Sequence, residues 1–443
     1  MPFQTRPTSP GTCTWRRFAS ATCLAMALFG QTPVASAATA VLASKLSPDL
    51  SAVMTSGVAA AGTTWALGSG SSMMMQLLVV ANGVDPEMVA LRAAVVANGG
   101  SVFMRYASVS ALSVLLPMSS IHAVAARADV TTISPNRATA RTASLLESTT
   151  GTLGTSISAG SPRLLTRSTV TGLDGSGVGI AVLDSGIAST HAALLSVDGT
   201  KSRVTRAVNL LNYNSLTNLA SNFLGSGATT ASAGTTGWTA GVDVSDAMAP
   251  NGLIRIAYEA AITTTNLNSA HDVYGHGSHV ASVAAGRGGF RTPDATGIAP
   301  NANLFDVKVL NDAGGGKMSD ALAGIDWVLF HAREYNIRVL NLSLAANSTE
   351  SFLTDPLCRA VRAASAAGIT VVAAAGNFGK NLAGAEVYGS VGAPGNDPSV
   401  ITVGSANPKA TAVRTDDLVN GFSSRGPTRG GCPNRRRERG VRV

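Results

Sequence analysis

From about Gly172 to Pro427 the chain alternates short apolar runs with helical segments, and this alternation most constrains what it can fold into. Val178–Leu183, Leu304–Leu310, Arg338–Leu342 and Ile369–Ala374 are apolar runs of strand length. Helical segments at His276–Ala285, Lys317–Glu334 and Asp355–Ala367 fall between them or just after. Strands separated by helices join in parallel through right-handed crossovers. The expected class is therefore α/β, a parallel sheet flanked by helices. In such sheets chemistry gathers at the carboxyl ends of the strands. Asp184 and Asn377 each stand just past one of the apolar runs. In isolation each also reads as a turn residue, because Asp-Ser-Gly and Gly-Asn are ordinary turn chemistry.

A smaller pattern precedes this one, over residues 73–138. Gln76–Ala81 is an apolar strand run, and Asp85-Pro86 starts a helix reaching about Ala97, with Pro in its first turn. Asn98-Gly99-Gly100 ends it. Ser101–Tyr106 and Ser110–Leu116 read as strands, Met118–Ala128 as a helix and Val130–Ser134 as a last strand. The order β-α-β-β-α-β is that of a small α+β ferredoxin-like sandwich. Residues 38–72, rich in Ala, Ser, Gly and Thr, read as a flexible spacer, and residues 139–171, rich in Arg, Thr and Ser, as a linker.

The net charge of +8 sits at the two ends. Residues 428–443 carry six Arg and one Glu, and residues 1–37 carry Arg6, Arg16 and Arg17 with no acid. The body between them is neutral, so the sum gives no support for the basic face that a nucleic-acid partner requires. Arg16-Arg17, the apolar run Ala21 to Gly30 and the small residues Ala35-Ser36-Ala37 read as a secretory signal peptide over residues 1–37. Ten apolar residues do not span a bilayer, which needs about 20, and no later run does, so no membrane span is expected. Of four cysteines, Cys13 and Cys23 lie in this leader and Cys432 in the tail. Cys358 falls in a helix and reads as a small core residue.

Three motifs carry chemistry. Val182-Leu183-Asp184-Ser185-Gly186-Ile187 offers an acid, His276-Gly277-Ser278-His279-Val280-Ala281-Ser282 a base, and Ala373-Ala374-Ala375-Gly376-Asn377 an amide donor. An acid that orients a base, and a base that takes a hydroxyl proton, are the partners of a nucleophilic serine. A zinc reading of His276 and His279 is poor, because paired helical ligands favour i, i+4 spacing beside an acid. In this chain order the motifs resemble the subtilisin-like serine proteases (subtilases), over roughly Gly172 to Pro427. The resemblance implies a secreted serine endopeptidase that cuts polypeptide substrates through an acyl-serine intermediate. It implies Asp184 as the acid, His276 as the base and Asn377 as the oxyanion donor. It implies Ser343-Leu344-Ala345 as the edge that pairs with substrate backbone. Ala345 and Ala346 stand where the family often has two glycines, and Ser278 where it usually has Thr. Residues 73–138 look like the inhibitory propeptide that precedes many subtilases, docks on the enzyme as its own intramolecular inhibitor and leaves its last strand in the cleft. Residues 139–171 then hold the maturation site. Many subtilases bind calcium, so calcium is an expectation, with no acidic cluster in the sequence to hold it.

Asp184 and His276 are farther apart than the family's usual gap, so much of the stretch from about Ala192 to Ala270 reads as inserted surface loop. The family's nucleophile motif, Gly-Thr-Ser-x-Ala, is expected after Phe422-Ser423-Ser424-Arg425-Gly426-Pro427. No serine follows Pro427, and Cys432-Pro433-Asn434-Arg435-Arg436-Arg437 begins a basic tail without a buried period. Gly154-Thr155-Ser156 precedes the acid in a low-complexity stretch with no helix behind it and is set aside as a coincidence. Residues 172–427 are thus expected to be an incomplete peptidase domain and 428–443 an aberrant tail, of the kind a frameshift near codon 428 produces. The expectation is an inactive chain that folds poorly; its alternative is a non-catalytic remnant that binds peptides or inhibits proteases.

Overall fold

A computed structural model describes residues 44–60, 63–141, 175–196, 198–211, 241, 243, 245–249, 252–256, 271–287, 297–407, 409 and 414–428. The leader over 1–37, Gly154-Thr155-Ser156, and most of the expected linker, inserted loop and basic tail lie outside them.

The first described unit is built from α1 (Pro48–Ser56), β1 (Ala66–Leu67), β2 (Met74–Ala81), α2 (Val89–Ala97), β3 (Ser101–Tyr106), β4 (Ala111–Pro117), α3 (Ile121–Ala125) and β5 (Val130–Pro135). β2 lies between β4 and β5, and β3 pairs with β4, all antiparallel. This is the βαββαβ sandwich. α2 starts later than expected: the Asp85 carboxylate accepts from the Glu87 and Val89 amides and forms its own turn ahead of the helix. Residues 38–72 need correcting as a spacer. α1 begins with Pro48 after the extended Ser47, and it buries Leu50 and Val53 in the core that Leu77, Val79, Leu91 and Ile133 make. Two apolar residues one turn apart anchor a helix that an Ala/Ser-rich composition hides.

β6 (Ala138–Arg141) follows, and then the strands and helices of the larger unit. These are β7 (Gly179–Asp184), β8 (Val204–Asn209), α4 (Ser245–Met248), α5 (His276–Ala285), β9 (Asn303–Lys308), β10 (Gly315–Lys317), α6 (Met318–His331), β11 (Ile337–Leu342), β12 (Leu344–Ala345), α7 (Pro356–Ala366), β13 (Thr370–Ala374), β14 (Ile401–Val403), β15 (Ala406–Asn407) and β16 (Leu418–Val419). Six strands form a parallel sheet in the order β14-β13-β11-β7-β9-β8. Side chains alternate across it. Ala181 and Leu183 face the core shared with α6 and α7, while Ile180 and Val182 face α5 through Ala281 and Ala285. Cover on both faces is why these strands read as unbroken apolar runs. β8 was hidden inside the expected insert, because Val204–Asn209 carries Thr and Arg between its apolar residues. The outer face of the small unit's sheet, with Leu78, Val80, Phe103 and Leu115, joins the α6–α7 core. Cys358 is buried in α7 and donates to Asn396 Oδ1 at 3.0 Å. Among the described residues no helix is long and apolar enough to cross a membrane.

Candidate active site

Asp184 is the last residue of β7, and His276 the first of α5. The parallel register puts Leu183, Leu342 and Ala373 in one row, so Asp184 and Ser343 share the next, at the carboxyl edge of the sheet. Gly275, at φ 89°, turns the chain into α5, a conformation open to glycine at little cost. Gly277 then passes so close to the acid loop that a Cβ would lie 2.0 Å from the Gly186 carbonyl oxygen. Two glycines therefore let the helix start meet the strand end. The result is a buried pair: Asp184 is 0% and His276 6% exposed, and His276 Nδ1 lies 2.6 Å from Asp184 Oδ1. The Ser185 amide also donates to that oxygen, at 2.7 Å.

Sequence reasoning missed the clamp behind this pair. Asp272 Oδ1 accepts from the Ser185 hydroxyl at 2.8 Å and the Gly275 amide at 2.8 Å; its Oδ2 accepts from the Ser278 amide and hydroxyl at 2.8 and 2.6 Å. One carboxylate thus ties the loop after Asp184 to the first turn of α5. Ser278 Oγ accepts in turn from the Ala188 amide at 2.8 Å, which gives that hydroxyl a bridging role. Under the clamp, buried Asp306 of β9 accepts from the Ile187 amide at 2.7 Å and meets His271 Nδ1 at 2.5 Å. Burial pushes the Asp306 carboxyl up, against the pull of His271. Lys308 Nζ donates to the Ser185 and His271 carbonyls at 2.5 and 3.0 Å. The only sequence signal for the clamp was an acid four residues before His276, which an ordinary loop also supplies. His279 sits half-buried on α5.

Asn377 lies three residues past β13, after Gly376 at φ 103°. Its loop is held by Ser424, which donates its amide to the Gly376 carbonyl at 2.9 Å and accepts from the Phe378 amide at 3.0 Å. Asn377 thus stands on the same sheet edge as Asp184 and Ser343.

Ser343 follows β11 and accepts from Asn341 Nδ2 at 2.8 Å. Leu344 and Ala345 form β12, and the chain's own β6 lies antiparallel against it, Leu344 opposite Arg141 and Ala345 opposite Ala140. The other side of β6 pairs with β10, Gly315 opposite Ala140 and Lys317 opposite Ala138. The β10 edge was also missed, although Gly314-Gly315-Gly316 marked it. A Cβ on Gly316 would lie 2.3 Å from the Val309 carbonyl and 2.8 Å from Thr139 Oγ1, so backbone can approach only a glycine there. Among the described residues no three His, Cys, Asp or Glu side chains converge to hold a metal ion.

The profile of the subtilase family matches residues 175–436. Serine protease AprX of Bacillus subtilis is 38% identical over 167 residues, covering 36% of this chain and 36% of its own. Subtilisin DY of Bacillus licheniformis is 39% identical over 136 residues, 31% of this chain and 44% of its own. The solved structure of fervidolysin from Fervidobacterium pennivorans, described as a keratinolytic enzyme related to subtilisin, superimposes with a TM-score of 0.47 at 17% identity, over 81% of this chain and 46% of that one. The chain spans less than half the length of these curated relatives.

Proposed function

Since the chain belongs to the subtilase family, we propose that its larger unit is the acid–base half of a secreted serine endopeptidase that acts on polypeptides. The observation that carries this is the buried 2.6 Å contact between His276 Nδ1 and Asp184 Oδ1, made by residues 92 positions apart. Held at Nδ1 by a carboxylate, the imidazole keeps the tautomer whose Nε2 accepts a proton from a serine hydroxyl. Asp184 stabilises the imidazolium that forms. The Asn377 amide supplies a donor for the oxyanion, worth about 10²–10³ in turnover in comparable sites. Ser343, Leu344 and Ala345 on one side, and Gly315 to Lys317 on the other, hold an extended peptide between two edges.

Residues 73–138 act as the inhibitory propeptide, and β6, which continues from it over Ala138–Arg141 into the expected linker, lies where substrate would lie. Its antiparallel pairing to both edges supports this reading. Residues 1–37 direct export, residues 139–171 hold the maturation site, and 172–427 form the peptidase domain, followed by the basic segment 428–443.

The 443 residues contain no Gly-Thr-Ser-x-Ala motif. A polypeptide of this sequence is therefore inactive by itself, and its second role, as an inhibitor or peptide-binding module, rests on the seated β6. A fluorophosphonate serine probe separates the two. No labelling, with inhibition of an active subtilase in trans, is expected. Labelling at a single serine that also hydrolyses peptide would show that a nucleophile has been overlooked. Neither labelling nor inhibition would remove both roles from this polypeptide.

A further inference from the structure

Resting on the reading of β6 as the occupant of the cleft, we propose that Arg137 is an ionic latch that holds β6 in place and opens as its cluster of carboxylates loses a proton. Arg137 lies between β5 and β6 and is 5% exposed. Its Nε and Nη2 donate to Asp49 of α1 at 2.9 and 2.7 Å. Its Nη1 donates to Glu350 at 2.7 Å, a residue 213 positions away on the loop after β12. The other Glu350 oxygen accepts from Ser134 Oγ of β5 at 2.9 Å. The Arg137 carbonyl accepts from the Met318 amide at the start of α6, 2.9 Å away. One side chain thus joins α1, the lead into β6 and the loop that continues the cleft edge.

The charges do not balance. A single guanidinium faces Asp49, Glu350 and the electrostatic field of Asp355, the fully buried N-cap of α7. Lys45 lines the neighbouring cavity, but its Nζ is turned to the Ala125 and Arg127 carbonyls at 3.0 and 2.7 Å. A buried cluster with surplus negative charge takes up a proton. Burial raises the Glu350 carboxyl to about 7, against the pull of Arg137 and with a further push from Asp355. Burial also pushes Asp49 up, but its bonds to Arg137 outweigh that and hold it below the usual carboxylate range. The proton therefore belongs to Glu350. A cavity of about 210 Å³, lined by Lys45, Ser47, Thr132, Glu350 and Thr354, brings solvent to it.

The sign follows from linkage. A carboxyl that binds its proton more tightly closed than open favours the closed form in acid, and that preference is lost as pH rises through the closed-form value. With Glu350 at about 7 closed and near 4.5 open, the opening equilibrium grows about 30-fold from pH 5.5 to 8.5 and flattens above. Alkaline conditions release the strand; acid holds it.

The test is amide hydrogen exchange of the full chain, read at Ala138–Arg141 and corrected for intrinsic rates. In the wild type, protection should fall about 30-fold between pH 5.5 and 8.5. Glu350→Gln, a neutral side chain of the same shape, should keep the pH 5.5 protection at pH 8.5. Arg137→Met should lose protection at both. Should Arg137→Met fail to fold, the Glu350→Gln comparison decides alone. A wild type without pH dependence, or a Glu350→Gln variant with the wild-type slope, overturns the latch and leaves the cleft reading intact. If β6 exchanges like free peptide at every pH while β2 and β4 stay protected, the cleft reading falls and takes the latch with it.

Discussion

At the scale of single residues, the site is an arrangement of backbones brought unusually close. Asp184 and His276 meet because glycine stands at 275 and 277 on one side and at 186 on the other. A Cβ at Gly186 would lie 2.3 Å from the His271 carbonyl oxygen. Gly277→Ala should therefore cost about 3 kcal/mol, seen as a lower urea midpoint, and should abolish the low-field proton resonance expected between His276 and Asp184. An unchanged midpoint would mean that the two loops can part cheaply. Asp272 makes four bonds, so Asp272→Ala should cost about 2 kcal/mol in the same titration. Asp184 and His276 were legible in sequence because their neighbours spell out a strand end and a helix start. Asp272 and Asp306 were not. Which amide or hydroxyl a loop carboxylate finds depends on chain segments that only folding brings beside it.

At the scale of elements, β6 is the informative piece. It forms a three-stranded sheet whose outer strands, β10 and β12, are 2–3 residues long and come from different loops of the larger unit. Each outer strand is too short to persist as an isolated pair, so β6 organises both. Ala140 is opposite Gly315 on one side and Ala345 on the other. Proline there removes an N–H and fixes φ. Ala140→Pro should make residues 138–141 cleavable by a probing protease while α6 and α7 stay protected. Equal resistance of variant and wild type would count against the pairing. Four strands of the parallel sheet, β7, β9, β11 and β13, were legible within one or two residues because they read as unbroken apolar runs, whereas β8 and β14 were not. α1 was not, since its burial rests on two residues, Leu50 and Val53, and their partners lie in β2, α2 and β5.

At the scale of the whole molecule, the sheet's two ends differ. β8 closes one side, and Val204, Ala207 and Val208 are buried. On the other, β14 carries Ile401 at 53% and Val403 at 47% exposure. An exposed apolar edge strand recruits other chains. A polypeptide of these 443 residues should scatter light at micromolar concentration. Ile401→Lys with Val403→Lys should suppress the scattering without moving the thermal midpoint. A sharp, cooperative melt of a monomeric wild type would contradict both this and the expectation of poor folding.

The sequence by itself determined the class of fold, the two successive units and the acid–base candidates, because strand length, helical period and glycine placement are local properties. Only the tertiary structure decided that Asp272 clamps the pair, that Val204–Asn209 completes the sheet, that residues 48–56 belong to the small unit, and that β6 lies between β10 and β12. Those outcomes depend on contacts between residues tens to hundreds of positions apart. Arg137 is the sharpest case: nothing within ten residues of it predicts Asp49 and Glu350 as its partners, and burial of all three gives the pairing its consequence.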